Sequence, residues 1–215
     1  MKKKPVCFLA VAGAVTLGLL AGCVSLQRDY PVRKFYVLEA APETVRTPLP
    51  DGPIVQVQFF RASPGYQNAE FVYRTGESTF ESDFYNVFFT LPADQIRSRA
   101  SEWLADSGRT RAVVDRASRL RPTHALEGNL VEMYGDFRDR DNPRAVIAVD
   151  FLMVDVQPIE PRIVFSKSYR EELAITAPTA NALVTGWEEG LRKIFTALEN
   201  DLPSGAPAPE PGEEG

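Results

Sequence analysis

Thiols and imidazoles are almost missing from this chain: of 215 residues only Cys7 and Cys23 are cysteines and only His124 is a histidine. A zinc site needs three or four N, S or carboxylate ligands held close together. A serine or cysteine nucleophile needs a base beside it. A single histidine following Thr123 at a strand start meets neither requirement and reads as structural. Glycine fingerprints are also absent: there is no P-loop, no G-x-G-x-x-G and no G-x-S-x-G elbow. Positive charge is in deficit, with 24 Lys and Arg against 29 Asp and Glu, a net charge of −5. That excludes the electrostatic footprint of a nucleic-acid binder and a polybasic patch for anionic headgroups. No apolar run reaches the roughly 20 residues that a membrane-spanning helix needs.

Carboxylates are the one catalytic class left. Two acids about 5–9.5 Å apart can hydrolyse a glycosidic bond. Asp139 and Asp141, in the Arg-Asp-Arg-Asp stretch, read more simply as a solvated turn. Asp150 and Asp155 lie an odd number of residues apart in a strand, on opposite sheet faces. The expectation is a non-enzyme with no metal and no dissociable cofactor.

The N-terminus is specific where the rest is not. Lys2, Lys3 and Lys4 precede Val6 to Leu20, an apolar run of 15 residues. This is the n-region and h-region of a secretory signal. Leu20-Ala21-Gly22-Cys23 then resembles the bacterial lipobox. The resemblance implies cleavage between Gly22 and Cys23, a diacylglycerol on the Cys23 thiol, and a further acyl chain such as palmitate on the new amino group. Val24, in place of an aspartate, resembles the signature of outer-membrane sorting, with the folded body facing the periplasm. Removing 22 residues leaves 193, and losing three lysines takes the net charge to −8. Cys7 leaves with the signal and Cys23 is committed to lipid. The folded domain is thus without a disulfide and depends on packing alone.

Composition divides the chain into a signal (1–22), a polar tether (23–34), one domain (35–202) and a Pro-rich acidic tail (203–215) too polar to order itself. Phe35 to Leu38 reads as a first strand, and the prolines of Ala41 to Pro53 make an extended connector. Ile54 to Phe60 alternates, with Val55, Val57 and Phe59 opposed to Ile54, Gln56 and Gln58: a strand with one buried face. Glu70 to Arg74 and Thr79 to Phe89 follow as strands. Pro92 to Ser107 is a helix with an apolar stripe through Ile96, Ala100, Trp103, Leu104 and Ser107, stopped by Gly108. Ala112 to Val114 is a short strand. Arg116 to Pro122 is a basic connector. Thr123 to Phe137, Arg144 to Val156 and Arg162 to Leu173, joined by short turns, form an antiparallel meander. Pro178 to Leu202 is the strongest periodic segment, with Leu183, Trp187, Leu191, Ile194, Phe195, Leu198 and Leu202 on one stripe. On its outer face Glu188 with Arg192, and Glu189 with Lys193, are spaced as i,i+4 pairs. The sum is an α+β domain: a two-layer antiparallel or mixed sheet with two amphipathic helices on one face.

Both parities are apolar in Asn86 to Leu91 and in Ala145 to Val156, and aromatics crowd residues 59–89. Either a central strand is covered on both faces, or a surplus face or edge meets another protein or a lipid chain.

In its order of elements the chain resembles the auxiliary lipoproteins of ABC-type transport systems that work with MCE-domain proteins. The likeness rests on the lipobox at Cys23, on Phe35-Tyr36-Val37-Leu38, and on Phe71-Val72-Tyr73-Arg74. It continues through the helix ending at Gly108, the strand Ala125-Leu126-Glu127-Gly128-Asn129-Leu130, and the long final helix. It spans about residues 23–202. The tryptophan that such proteins often carry before the first helix is missing from Tyr85 to Thr90. The resemblance implies a non-catalytic partner of a periplasmic MCE protein in lipid transport between the membranes. Phe35, Tyr36, Tyr73 and Arg74 are then the partner contacts, and self-association into a homo-oligomer is left open. The competing expectations are an envelope-assembly or secretion lipoprotein, like the partner of lipopolysaccharide export, a periplasmic hydrolase, or a chaperone that carries lipid itself.

Overall fold

The computed structural model describes residues 32–203. The signal, Gly22, Cys23, the tether up to residue 31 and the tail from residue 204 lie outside the described residues.

One long strand organises the sheet. β6 (His124–Asp136) pairs on one side with β7 (Arg144–Asp155), antiparallel from His124↔Asp155 to Asp136↔Arg144, and β8 (Arg162–Ala174) closes the meander. On its other side β6 meets two partners in turn. Its first half pairs in parallel with β2 (Ile54–Ala62). Its end pairs in parallel with β3 (Glu70–Arg74), through Tyr73↔Gly135 and Arg74↔Asp136. The sheet therefore forks. One arm is β2 with the short edge strand β5 (Ala112–Val114). The other arm is β3, then β4 (Phe80–Phe88) antiparallel to it, then β1 (Lys34–Tyr36) parallel to β4. A 3-10 turn at Pro64–Tyr66 bridges the fork, with the Ser63 N–H donating to the Leu130 carbonyl at 2.9 Å.

Two helices pack against this mixed sheet, as the periodicity predicts. α1 (Pro92–Asp106) buries Ile96, Ala100, Trp103 and Leu104 against β2. It ends where Gly108 adopts φ of +69°, a left-handed conformation that costs a residue with a Cβ about 1–2 kcal/mol. The proline-rich connector lies over that end: Arg46 N–H donates to Asp106 O at 2.8 Å and Leu49 N–H to Thr110 O at 3.0 Å. α2 (Ala180–Asp201) is N-capped by Thr179, whose hydroxyl accepts from the Ala182 N–H, and buries its whole apolar stripe against β7 and β8. On its outer face Lys193 and Glu189 approach to 3.4 Å as expected. Glu188 does not pair with Arg192; its carboxylate accepts from the Glu39 N–H at 2.9 Å, while Arg192 donates to the Glu39 carbonyl at 3.4 Å.

The alternation in β2 also fails at one point. A bulge between Val57 and Phe60 slips the register, so Phe60 turns inward and Phe59 is left 61% exposed. Gly128 makes room for the inward ring, since a Cβ there would stand 2.5 Å from it. Phe60 then meets Phe151 edge-on, with centroids 5.8 Å apart.

The doubly apolar meander strand is covered. Ala145, Ile147, Val149, Phe151 and Met153 belong to the core beneath the helices. Val146 and Ala148, on the other face, are buried as well. In register beside them stand Tyr134, Glu172, Glu132 and Arg170, and Arg170 binds Glu132 at 2.8 Å and Glu172 at 3.0 Å. Exposed apolar side chains are elsewhere: on β1 and β4, at Phe59 on β2, and at Ile163 and Val164 on β8.

Candidate functional site: two exposed aromatic surfaces

The first surface is the β1–β4 edge. Between Glu70↔Val87 and Phe71↔Asp83 the β3–β4 register jumps, so Phe84, Tyr85 and Asn86 have no partner on β3. Such a bulge needs its backbone donors satisfied. Asp83 does this: its carboxylate accepts from the Tyr85 N–H at 2.7 Å, the Asn86 N–H at 3.1 Å and the Asn86 amide at 2.6 Å. The Tyr73 hydroxyl donates to the same carboxylate at 2.6 Å, and the Tyr36 hydroxyl donates to Asn86 Oδ1 at 3.0 Å. Burial first, and then the bond to Asp83, push the Tyr73 phenol far above its ordinary value. For Asp83, burial pulls upward, but the bonds from Asn86, Tyr73 and the two backbone N–H groups outweigh it and hold the carboxyl below its usual range. At neutral pH the brace is one carboxylate ringed by protonated donors.

What the brace presents is apolar. Phe84 is 66% exposed, Phe89 69% and Phe35 59%, with Tyr85, Val37 and Leu91 exposed around them. Phe35 and Phe89 meet edge-on at 6.3 Å. The Arg33 guanidinium lies 5.2 Å from the Phe84 ring centre and reaches Glu70 at 3.4 Å.

Asp83→Ala is expected to cost about 1–3 kcal/mol, because several donors lose a charged acceptor. The linkage has a definite sign. Since the folded state lowers this carboxyl below 3.8, its contribution is complete above that pH and is lost as pH falls through the folded-state value. In urea titrations the gap between wild type and Asp83→Ala should be constant near neutrality and close only in strong acid.

The second surface is on the other arm of the fork. The ring of Phe59 has the Arg116 guanidinium 4.6 Å and the Arg97 guanidinium 5.7 Å from its centre. The cleft around it, about 310 Å³, is walled by Val57, Arg97, Asp115, Arg116 and Ala117. The buried Arg97 Nε has no hydrogen-bond partner.

The structure divides the four residues that the family resemblance nominates. Phe35 is exposed on the edge, and Tyr36 and Tyr73 join through Asn86 and Asp83 beneath it. Arg74 lies at the far end of β3, donating to the Glu77 carbonyl at 2.7 Å and stacked 5.7 Å from the Phe80 ring centre. The acids do not converge: Asp139 and Asp141 lie in a turn, while Asp155 ends β7. Asp139 accepts from the Asp141 N–H at 3.0 Å and from Asn142 Nδ2 at 2.8 Å. Asp155 is buried, accepting from the Gln157 N–H at 3.0 Å and reaching Arg162 at 3.5 Å. Burial lowers the His124 pKa, partly offset by Asp155, and its Nδ1 is 2.9 Å from Thr123 Oγ1. A groove of about 690 Å³ between the connector and α2 holds Glu199, already bonded by Trp103 Nε1 at 3.1 Å and paired with Arg46. Among the described residues no group of three or more His, Cys, Asp or Glu side chains is placed to hold a metal ion. Asp83 and Asn86 had a signal in the sequence: two residue types depleted in strands interrupt an aromatic run, which marks a bulge.

No family model and no curated protein matches this chain. Solved structures do resemble it. A Xanthomonas campestris protein of the DUF330 family superposes with a TM-score of 0.67 at 14% identity, covering 77% of this chain and 92% of that one. An uncharacterized protein gives a TM-score of 0.62 at 13% identity, covering 79% and 97%. At such identities the likeness concerns the fold: the forked sheet and its two helices are an arrangement that other chains also adopt.

Proposed function

We propose that this chain is a lipid-anchored, non-catalytic auxiliary subunit of an ABC/MCE-type intermembrane lipid transport system. It is held to the periplasmic side of the outer membrane through Cys23 and binds the periplasmic MCE protein. The lipobox and the order of elements support the reading. The observation that carries it is Phe59, turned out to solvent between Arg97 and Arg116 by the β2 bulge. Aromatic and arginine side chains are the types enriched at the energetic centres of protein interfaces. Tyr36, Tyr73 and Arg74 already have partners within the domain, so we assign the protein contact to Phe59 and its two arginines.

A photo-crosslinking amino acid at position 59, activated in intact cells, is expected to yield one adduct with an MCE-domain protein. An adduct with a β-barrel instead would move the chain to envelope assembly, and no adduct at all would remove the docking role. Against the purified partner, Phe59→Ala should weaken binding by about 2 kcal/mol, roughly thirty-fold. Arg97→Ala and Arg116→Ala should weaken it less.

A further inference from the structure

We propose that the β1–β4 edge dips into the headgroup region of the bilayer, so that the domain is seated on the membrane rather than hung from it. The inference rests on the lipid-anchor reading above and adds a second, non-covalent contact to it.

Four observations converge. The edge lies close to the anchor in sequence: Cys23 is twelve residues before Phe35, and a fully extended tether of that length reaches at most about 40 Å. A surface held that close to a leaflet meets it at high effective concentration, so even a weak contact is populated. Next, Phe84 on the bulge, Phe35 on the edge strand and Phe89 just past the end of β4 are 59–69% exposed. None of the three lines the grooves around Glu199 or Phe59 described above, and a flat, soft surface suits such projections better than a cleft does. Third, the aromatics carry basic flanks, with Arg33 stacked on Phe84 and Lys34 exposed beside Phe35. Aromatic rings with lysine and arginine at their margin are the composition of a membrane–water interface. Finally, the bulge is held rigid by the Asp83 carboxylate, on which four protein donors converge. A brace of that kind keeps Phe84 and Tyr85 from folding back onto the domain.

The bilayer is chosen over a second protein because the edge is the first element after the tether, whereas Phe59 is on the other arm of the sheet. The two surfaces then have separate tasks, one facing the leaflet and one the partner.

The test uses the full acylated chain, purified from bacterial envelopes and reconstituted into phosphatidylethanolamine–phosphatidylglycerol vesicles containing dibrominated phosphatidylcholine. Phe84→Trp and Phe89→Trp place a reporter at each tip. The native Trp103 and Trp187 are 6% and 0% exposed and give a shielded background. In both variants the added emission should shift to the blue, and the brominated lipid should quench it at least about twofold more than the parent signal. An acylated protein that floats with the vesicles but keeps water-exposed, unquenched emission at both positions would overturn the insertion and leave the anchor standing. A blue shift without quenching would mean that protein covers the edge, and would overturn it equally. An unmodified Cys23 by mass spectrometry would remove the anchor reading itself, and the inference with it.

Discussion

Trp187→Ala is expected to destabilise the domain by about 3–5 kcal/mol, the largest effect of any single substitution in the core. The indole is fully buried, and Phe71 and Phe88 stand against it with centroids at 5.0 and 5.6 Å. Its Nε1 donates to the Val146 carbonyl at 3.1 Å, within the strand that is buried on both faces. Truncation therefore opens a cavity and also leaves a buried carbonyl with one acceptor site unfilled. A domain of this size has roughly 5–15 kcal/mol in total, and the described residues 32–203 contain no cysteine, so no disulfide within them holds the remainder together. Urea unfolding followed by far-UV circular dichroism should show a much lower midpoint with an unchanged slope. Trp187→Phe separates the two terms: it keeps most of the volume, loses only the hydrogen bond, and should cost about 1–3 kcal/mol. The loss should reach the edge too, because Phe88 lies between Trp187 and the exposed Phe89. Hydrogen exchange in residues 84–89 is expected to quicken in Trp187→Ala before that of β7 does.

That chain of contacts also explains what could be read from the sequence and what could not. Both helices were legible because each carries an unbroken stripe at helical spacing, and burial against a sheet enforces that spacing residue by residue. The meander was legible because its turns are short, and short connections leave antiparallel pairing as the only option. The fork of the sheet was not. β2 and β3 both join β6 in parallel, which depends on contacts between residues more than sixty positions apart and leaves no local pattern. The bulge in β2 was hidden for a related reason. A period-two reading has one phase, and the slip at Phe59 is set from outside the strand by the space over Gly128. The same slip decides which of two adjacent phenylalanines is core and which is surface, so the candidate docking residue could not be picked from Phe59-Phe60 alone. On β4 the aromatic surplus was visible, but its destination depended on the Asp83 brace, whose partners come from β1, β3 and β4 together.

On the lipid-anchor reading proposed above, Cys23→Ser carries the largest functional expectation. One acyl chain gives a membrane association constant of only about 10⁴ M⁻¹, and stable anchoring takes at least two such signals, which the several chains proposed for Cys23 would supply. Serine has no thiolate to accept the diacylglycerol, so the variant should keep its signal, take up no palmitate label and leave the outer-membrane fraction. The residue lies outside the described fold of residues 32–203, and the unfolding midpoint is expected to be unchanged. The β1–β4 edge provides the contrast. Phe84→Ser with Phe89→Ser should leave acylation and fractionation intact, because the covalent chains dominate the partition. What it should change is the seating of the domain. On the proposed reading, a seated edge fixes how the Phe59 surface faces the leaflet before the partner arrives, and the edge variant removes that constraint. Loss of that restriction appears in the association rate, not in the dissociation rate, because Phe59, Arg97 and Arg116 are untouched. Membrane-bound protein with the edge variant should therefore capture its partner more slowly, while the same two proteins compared in detergent should bind alike. Equal rates on vesicles would show that the edge has no part in presenting the docking surface.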